Sequence, residues 1–301
     1  MALKQVKNKI VSTQKTGKVT KAMEAVSAVK MRKTQERALT SRPYVSTALR
    51  ILRQLSRSRE VLTHPLLVPS ERGKALLVIV TSDKGLAGSV NSAVLKLAEQ
   101  TLRAERETDV IAVGRKAVEF AHRAGRPILG EYTNVTDDVT VADVYTMAET
   151  VIAAFSGGEY KTVKVAYQNF VSTFEQKPVM RTLLPLAPNE LEETMRDIRP
   201  KAGRWSEESA STAGELTYTI EPSAEEVLSV LIPKLIEIML YHALIESKAS
   251  EHSARMVAMK NATDKSKEIT KALTLVYNKE RQAVITAEVS EITGGLEAMK
   301  S

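Results

Sequence analysis

No cysteine occurs among the 301 residues, which excludes disulfides, thiolate metal sites and cysteine nucleophiles and fits a reducing compartment. Aromatic residues make up only 4%, too few for a core of rings or a run of base-stacking platforms. Helix breakers are scarce at both ends. Residues 1–59 hold one glycine (Gly17) and one proline (Pro43), and residues 234–293 hold neither. No charged segment leads into an apolar one at the start, so no signal peptide is expected. The most apolar run, residues 227–244, is interrupted by Pro233, Lys234, Glu237 and His242 and fails as a bilayer span. A soluble or peripheral protein is expected.

Recognisable chemistry is missing as well. There is no H-E-x-x-H and no G-x-S-x-G, and no acid pair stands out as catalytic. His64, His122, His242 and His252 lack metal-ligand spacing and read as solvated or seam residues. The stretch TSDKGLAG (81–88) sits between a strand pattern and a helix pattern, where α/β folds bind phosphates. It carries Gly85 and Gly88 but neither nucleotide fingerprint, and so reads as a structural turn. No catalytic, cofactor-binding or metal residue is assigned.

Charge is distributed unevenly. Residues 1–59 hold 15 Lys or Arg against Glu24 and Glu36, a local net of +13 in a chain whose total is +7, so everything after carries −6. Such an arm expects an acidic neighbour: nucleic acid, anionic lipid or a carboxylate-rich protein surface. Leu3, Val6, Ile10, Thr13, Gly17 and Thr20 recur at alternating spacings of three and four, the seam of a coiled coil, which then shifts register to Ala22, Val26 and Val29.

Residues 74–186 have a different texture. KALLVIV, DVIAVG, VKVAYQNF and VMRTLLPL read as strands, the last as a candidate edge, and helical patterns begin at Asn91, Arg115 and Thr140. Alternating elements of these lengths predict a parallel, doubly wound, Rossmann-like α/β domain. Residues 187–220 form a polar excursion rich in Glu, Ser, Pro and Gly. From 221 to the end a second long helix is expected, with Glu225 and Glu226 in its first turn. Carried to Thr293 it would span on the order of 110 Å, more than a compact domain can enclose.

The seam of that second helix runs through Leu228, Leu231, Leu235, Ile238, Ile245, Ala249, Met256 and Met259, with His242 and His252 in the gaps, and resumes out of step at Ile269, Ala272 and Val276. Its partner would be the N-terminal helix, residues 1–60. The architecture expected is an antiparallel coiled coil of the N- and C-terminal helices (1–60 and 221–301) with the α/β domain inserted between them.

Three stretches carry a family resemblance. KVTKAMEAVSAVKMRKTQ (18–35), ASEHSARMVAMKNATD (249–264) and LVYNKERQAVITAEVSEITGG (275–295) resemble signatures of the γ subunits of rotary, F-type ATP synthases. TSDKGLAGSVN is similar to that family's Asp-(Lys/Arg)-Gly-Leu-Cys-Gly turn, with Ala87 where cysteine is frequent. The resemblance implies a non-catalytic rotor shaft inside a hexamer of α and β subunits, its foot on the ε subunit and a membrane ring of c subunits. It implies one copy per complex at the cytoplasmic face of a bacterial membrane, peripheral and without inserting. It further implies ring contacts at Lys21, Met23, Arg32 and Lys33, where Lys30 also helps give the basic arm an acidic partner. More ring contacts are implied at Arg281, Gln282 and Thr286, and a foot near Tyr218, Glu221 and Pro222. The absence of cysteine speaks against the chloroplast variant with its regulatory dithiol. The competing reading is a basic coiled-coil nucleic-acid binder, against which stands an arm whose only aromatic residue is Tyr44.

Overall fold

The structure, a computed structural model, describes residues 3–40, 51, 64–70, 72–187, 221 and 223–298. Two helices bracket an α/β domain: α1 (Leu3–Thr40) and α5 (Ala224–Ala298). Between them run β1 (Lys74–Val80), α2 (Val90–Ala104), β2 (Thr108–Val113), α3 (Arg115–Arg123), β3 (Ile128–Tyr132), α4 (Val141–Ser156), β4 (Tyr160–Phe170) and β5 (Gln176–Leu184). The chain forms two compact units, Met1–Val26 with Met256–Ser301, and Ser27–Arg255. The continuation of the first helix toward residue 60 and the excursion at 188–220 lie outside the described residues.

In the larger unit the strand order is β3-β2-β1-β4-β5, with β1 parallel to β2 and β4, β2 parallel to β3, and β5 antiparallel on β4. This is the doubly wound arrangement expected, closed at one edge by a hairpin. β1 is buried on both faces, which is why it reads as an unbroken apolar run. Leu77 and Ile79 pack under α2 and α3, whereas Leu76, Val78 and Val80 face α4 and the first third of α5. Among the described residues α5 is the one helix long and apolar enough to cross a membrane, yet 67% of its most apolar window is buried inside the protein. Leu228, Ile232, Leu235, Ile236, Met239, Leu240 and Leu244 explain that burial, because they are core residues of the domain.

β3 has no counterpart in the sequence reading. Its five residues include Gly130 and show an alternating, half-buried pattern, too short and too mixed to stand out.

In the smaller unit the two helices pair antiparallel. The Thr20 and Thr263 hydroxyls meet at 2.7 Å, and a Cβ added to Gly17 would lie 3.2 Å from Ser266 Cβ. Val6, Thr20 and Met259 are buried, as the first part of each seam predicts, and Thr263 and Ser266, which the predicted seam left out, are buried with them. The predicted shifts of register do not occur. On α1, Val26 and Val29 are 55% and 69% exposed, while Ser27, Thr34 and Ala38 are buried. On α5, Ile269 and Val276 are 40% and 45% exposed, while Thr263 and Ser266 are buried and Thr270, Leu273 and Tyr277 half-buried. Both helices hold one heptad register by placing Ser and Thr on the inner line and leaving β-branched apolar residues outside it.

Candidate functional site: a polar collar on the long helix

In open α/β sheets the strand carboxyl ends flank the crevice where ligands bind. Here α5 fills it. From Glu246 to Arg255 the helix carries Glu246, Ser250 and Ser253 at one spacing and Lys248, Glu251, His252 and Arg255 at another, all buried. The remaining void, bordered by Thr81, Val113, Val135, Leu244 and Glu251, is about 10 Å³, at the lower limit for one water.

Each side chain in this stretch caps a loose end of the domain. Glu246 Oε2 accepts from Phe170 N at 2.8 Å, and the Ser250 hydroxyl donates to Gln168 O at 3.2 Å. Ser253 donates to Thr173 O in the β4–β5 turn at 2.6 Å. Arg255 pairs with Glu251 at 2.6 Å and donates to the carbonyls of Gly85 at 3.1 Å and Lys84 at 3.4 Å. A buried ion pair is sustained when its spare donors find acceptors, and the two loop carbonyls supply them.

The loop at 81–88 is knit to the protein's own groups. Ser82 N donates to Asn91 Oδ1 at 3.0 Å, and Asp83 Oδ1 accepts from Arg115 N at 3.0 Å, placing a carboxylate at the N-terminus of α3 where a phosphate would otherwise bind. Gly114 opens that helix at φ +86°, and a Cβ there would overlap the Thr81 carbonyl. The structural-turn reading of this segment fits these bonds.

The third loop, between β3 and α4, presents Asp137 and Asp138 to both long helices. Asp137 Oδ2 lies 2.5 Å from Lys30 Nζ on α1, and its Oδ1 lies 3.0 Å from His252 Nε2 on α5, with Lys248 Nζ at 3.9 Å. An ionised carboxylate only accepts, so the His252 Nε2 proton points at Asp137. Lys248 also donates to Val135 O at 2.8 Å. Asp138 pairs with Lys33 at 2.9 Å and Arg37 at 2.7 Å. His252, then Lys30, with Lys248 beside them, hold the Asp137 carboxyl well below the usual carboxylate range against the opposing effect of burial. Lys33, with Arg37, lowers Asp138 in the same way.

Part of the basic arm therefore meets acids of its own chain. Lys30 and Lys33 bind Asp137 and Asp138, and Arg32 lies 3.7 Å from Glu36. Of the other residues singled out from sequence, Lys21 is exposed and Met23 half-buried on α1. Arg281, Gln282 and Thr286 share a stretch of α5 that is exposed from 281 to 295, with the Thr286 hydroxyl donating to Gln282 O at 2.9 Å. Glu221 is exposed, whereas Tyr218 and Pro222 lie outside the described residues. Sequence reasoning missed the collar. Its signal was present: Lys248, Glu251, His252 and Arg255 recur at helical spacing on one face of the helix.

Among the described residues no group of His, Cys, Asp and Glu could hold a metal ion.

A family model described as ATP synthase matches residues 2–299. The chain is 39% identical over 300 residues to the ATP synthase gamma chain of Pelotomaculum thermopropionicum, covering 99% of each. It is 40% identical over 304 residues to the ATP synthase gamma chain of Roseiflexus castenholzii, covering 98% of each. Among solved structures it resembles a chain of the Tetrahymena thermophila mitochondrial ATP synthase central stalk and c ring. There the TM-score is 0.59 at 25% identity, over 81% of this chain and 99% of that one. A chain of the Euglena gracilis mitochondrial ATP synthase rotor shares the fold, with a TM-score of 0.63 at 17% identity over 94% of this chain and 98% of that one.

Proposed function

The chain belongs to the ATP synthase gamma chain family, and from that we infer that it is the central rotor shaft of an F-type ATP synthase. In this role it couples proton-driven rotation of the membrane c ring to ATP synthesis in the hexamer of α and β subunits, and the reverse during hydrolysis. Its partners are those subunits, the ε subunit and the c ring. The subunit itself performs no bond chemistry and sits peripherally at the cytoplasmic face of a bacterial membrane.

The observation that carries this reading is the exposed end of α5. Residues 281–295 are exposed throughout, yet include Val284, Ile285, Val289 and Ile292, each about half exposed or more. A helix that leaves such residues in water is built to be covered by a partner. A sleeve around it would do so without fixing its rotation. One asymmetric rod in a threefold ring touches each β subunit differently, so three chemically identical sites are biased toward different open or closed states. Turning the rod exchanges those biases, and each site passes in turn through binding, synthesis and release.

Arg281, Gln282 and Thr286 are the residues proposed to hydrogen-bond to the ring from this stretch, with Lys21, Met23, Arg32 and Lys33 facing acidic loops lower on the shaft. The foot, near Tyr218, Glu221 and Pro222, is proposed to meet the c ring. The test is reconstitution of the complete complex in vesicles with the parent chain and with Arg281→Glu. Gradient-driven ATP synthesis by the parent, and its loss in the variant with unchanged melting of the isolated chain, is the expected pair of results. No synthesis by an assembled parent complex contradicts the function, and normal synthesis by the variant contradicts the assignment of Arg281.

A further inference from the structure

A rotor has to pass torque between the domain and the long helices, and covalent continuity alone does not make that joint stiff. The collar contains a joint of this kind. Asp137 touches both helices, binding Lys30 of α1 and His252 of α5, with Lys248 close by. Its loop is further held by the Lys248 bond to Val135 O at 2.8 Å and by Asp138 on Lys33 and Arg37.

We propose that Asp137 is a positioning residue for torque transfer, its carboxylate fastening the β3–α4 loop to Lys30 and His252 so that the domain and both helices turn as one body. The proposal rests on the rotor reading. Three features separate this contact from an ordinary surface ion pair, whose net effect is small. The His252 side chain is 3% exposed and held by the crevice. The two partners, Lys30 and His252, come from helices far apart in sequence, and one carboxylate serves both. The charge-assisted bonds are directional, so a small rotation of the loop about the helices lengthens at least one of them. The close-packed apolar residues beneath the collar also resist sliding, and the directional polar bonds add to that resistance at the rim.

The test uses the reconstituted complex with its ring fixed to a surface and a probe on the α/β domain. The angular fluctuation of the probe is recorded during the pauses between ATP-driven steps. Asp137→Asn keeps the shape of the side chain and removes its charge. The expected result is an angular variance about twice that of the parent, a softer joint. Asp137→Glu restores the charge and is expected to recover most of the stiffness. Should Asp137→Asn fail to assemble, Lys30→Gln removes one arm of the clamp and is read in the same way. A parent complex that rotates, with variants of identical variance, overturns the proposal. A parent complex that does not rotate overturns the rotor reading instead.

Discussion

Asp137 and its neighbours illustrate what a single sequence conceals at the residue scale. An Asp-Asp pair in a polar loop and a lysine-rich helix 100 residues earlier look like two solvated surfaces until the fold joins them, with Lys30 on Asp137 and Lys33 on Asp138. Composition showed an excess of cations in search of acids. It could not show that some of those acids lie in the same chain. The pH behaviour of the joint follows from the direction of the shift. The Asp137 carboxyl is depressed in the folded protein, chiefly by its bond to His252 and then by Lys30. Its contribution is therefore complete above the ordinary aspartate value and is lost as pH falls from there toward the folded value. Melting temperatures of the parent and Asp137→Asn, compared across pH, should differ by an amount that does not shrink until pH drops below about 4. A gap that closes near pH 6 would mean the carboxylate is not held as described.

Elements were legible where their burial is simple. β1, β2 and β4 are buried strands and read as such, and α2, α3 and α4 show clear helical periodicity. β3 escaped because one of its faces is open and glycine sits at its centre. The coiled coil was legible as an element but not in its register. The sequence reading followed Val26, Val29, Ile269 and Val276, whereas the seam runs through Ser27, Thr34, Thr263 and Ser266. Hydrophobicity is a poor guide to a seam built on close approach, since small hydroxyl side chains let backbones come near and can return their donors to the preceding turn. Thr263 does this, donating to Met259 O at 2.8 Å. The Thr20–Thr263 contact then predicts a measurable coupling. Thr20→Val or Thr263→Val alone leaves the opposite hydroxyl facing a methyl group and should cost about 1 kcal/mol. The double variant should cost less than the sum by about 0.5–1 kcal/mol. Unfolding followed by helix circular dichroism measures all three, and strict additivity would argue against a hydrogen bond across the seam.

At the scale of the whole molecule the design has two parts with opposite needs. Where α5 crosses the strand ends it is bonded to three loops, through Ser253, Arg255 and the Asp137 cluster. From 281 to 295 the same helix is exposed and carries apolar residues without cover. A part that receives torque must be rigid, and a part that turns inside a bearing must be held at few points, as proposed for Arg281, Gln282 and Thr286. The long unbroken helices, the acidic first turn of α5 and the family signatures at both ends were all visible in the sequence. The filling of the ligand crevice by α5 was not, because it depends on which face of the sheet the helix covers.

The measurement that tests the central claim most directly is single-molecule rotation. The chain is assembled with its cognate α and β subunits, the ring is fixed to a surface, a bead is attached to the α/β domain, and ATP is added. The account predicts stepwise rotation in one direction, in steps that follow the threefold symmetry of the ring. An assembled, ATP-hydrolysing ring whose bead stays still would contradict it and leave a static stalk in place of a rotor.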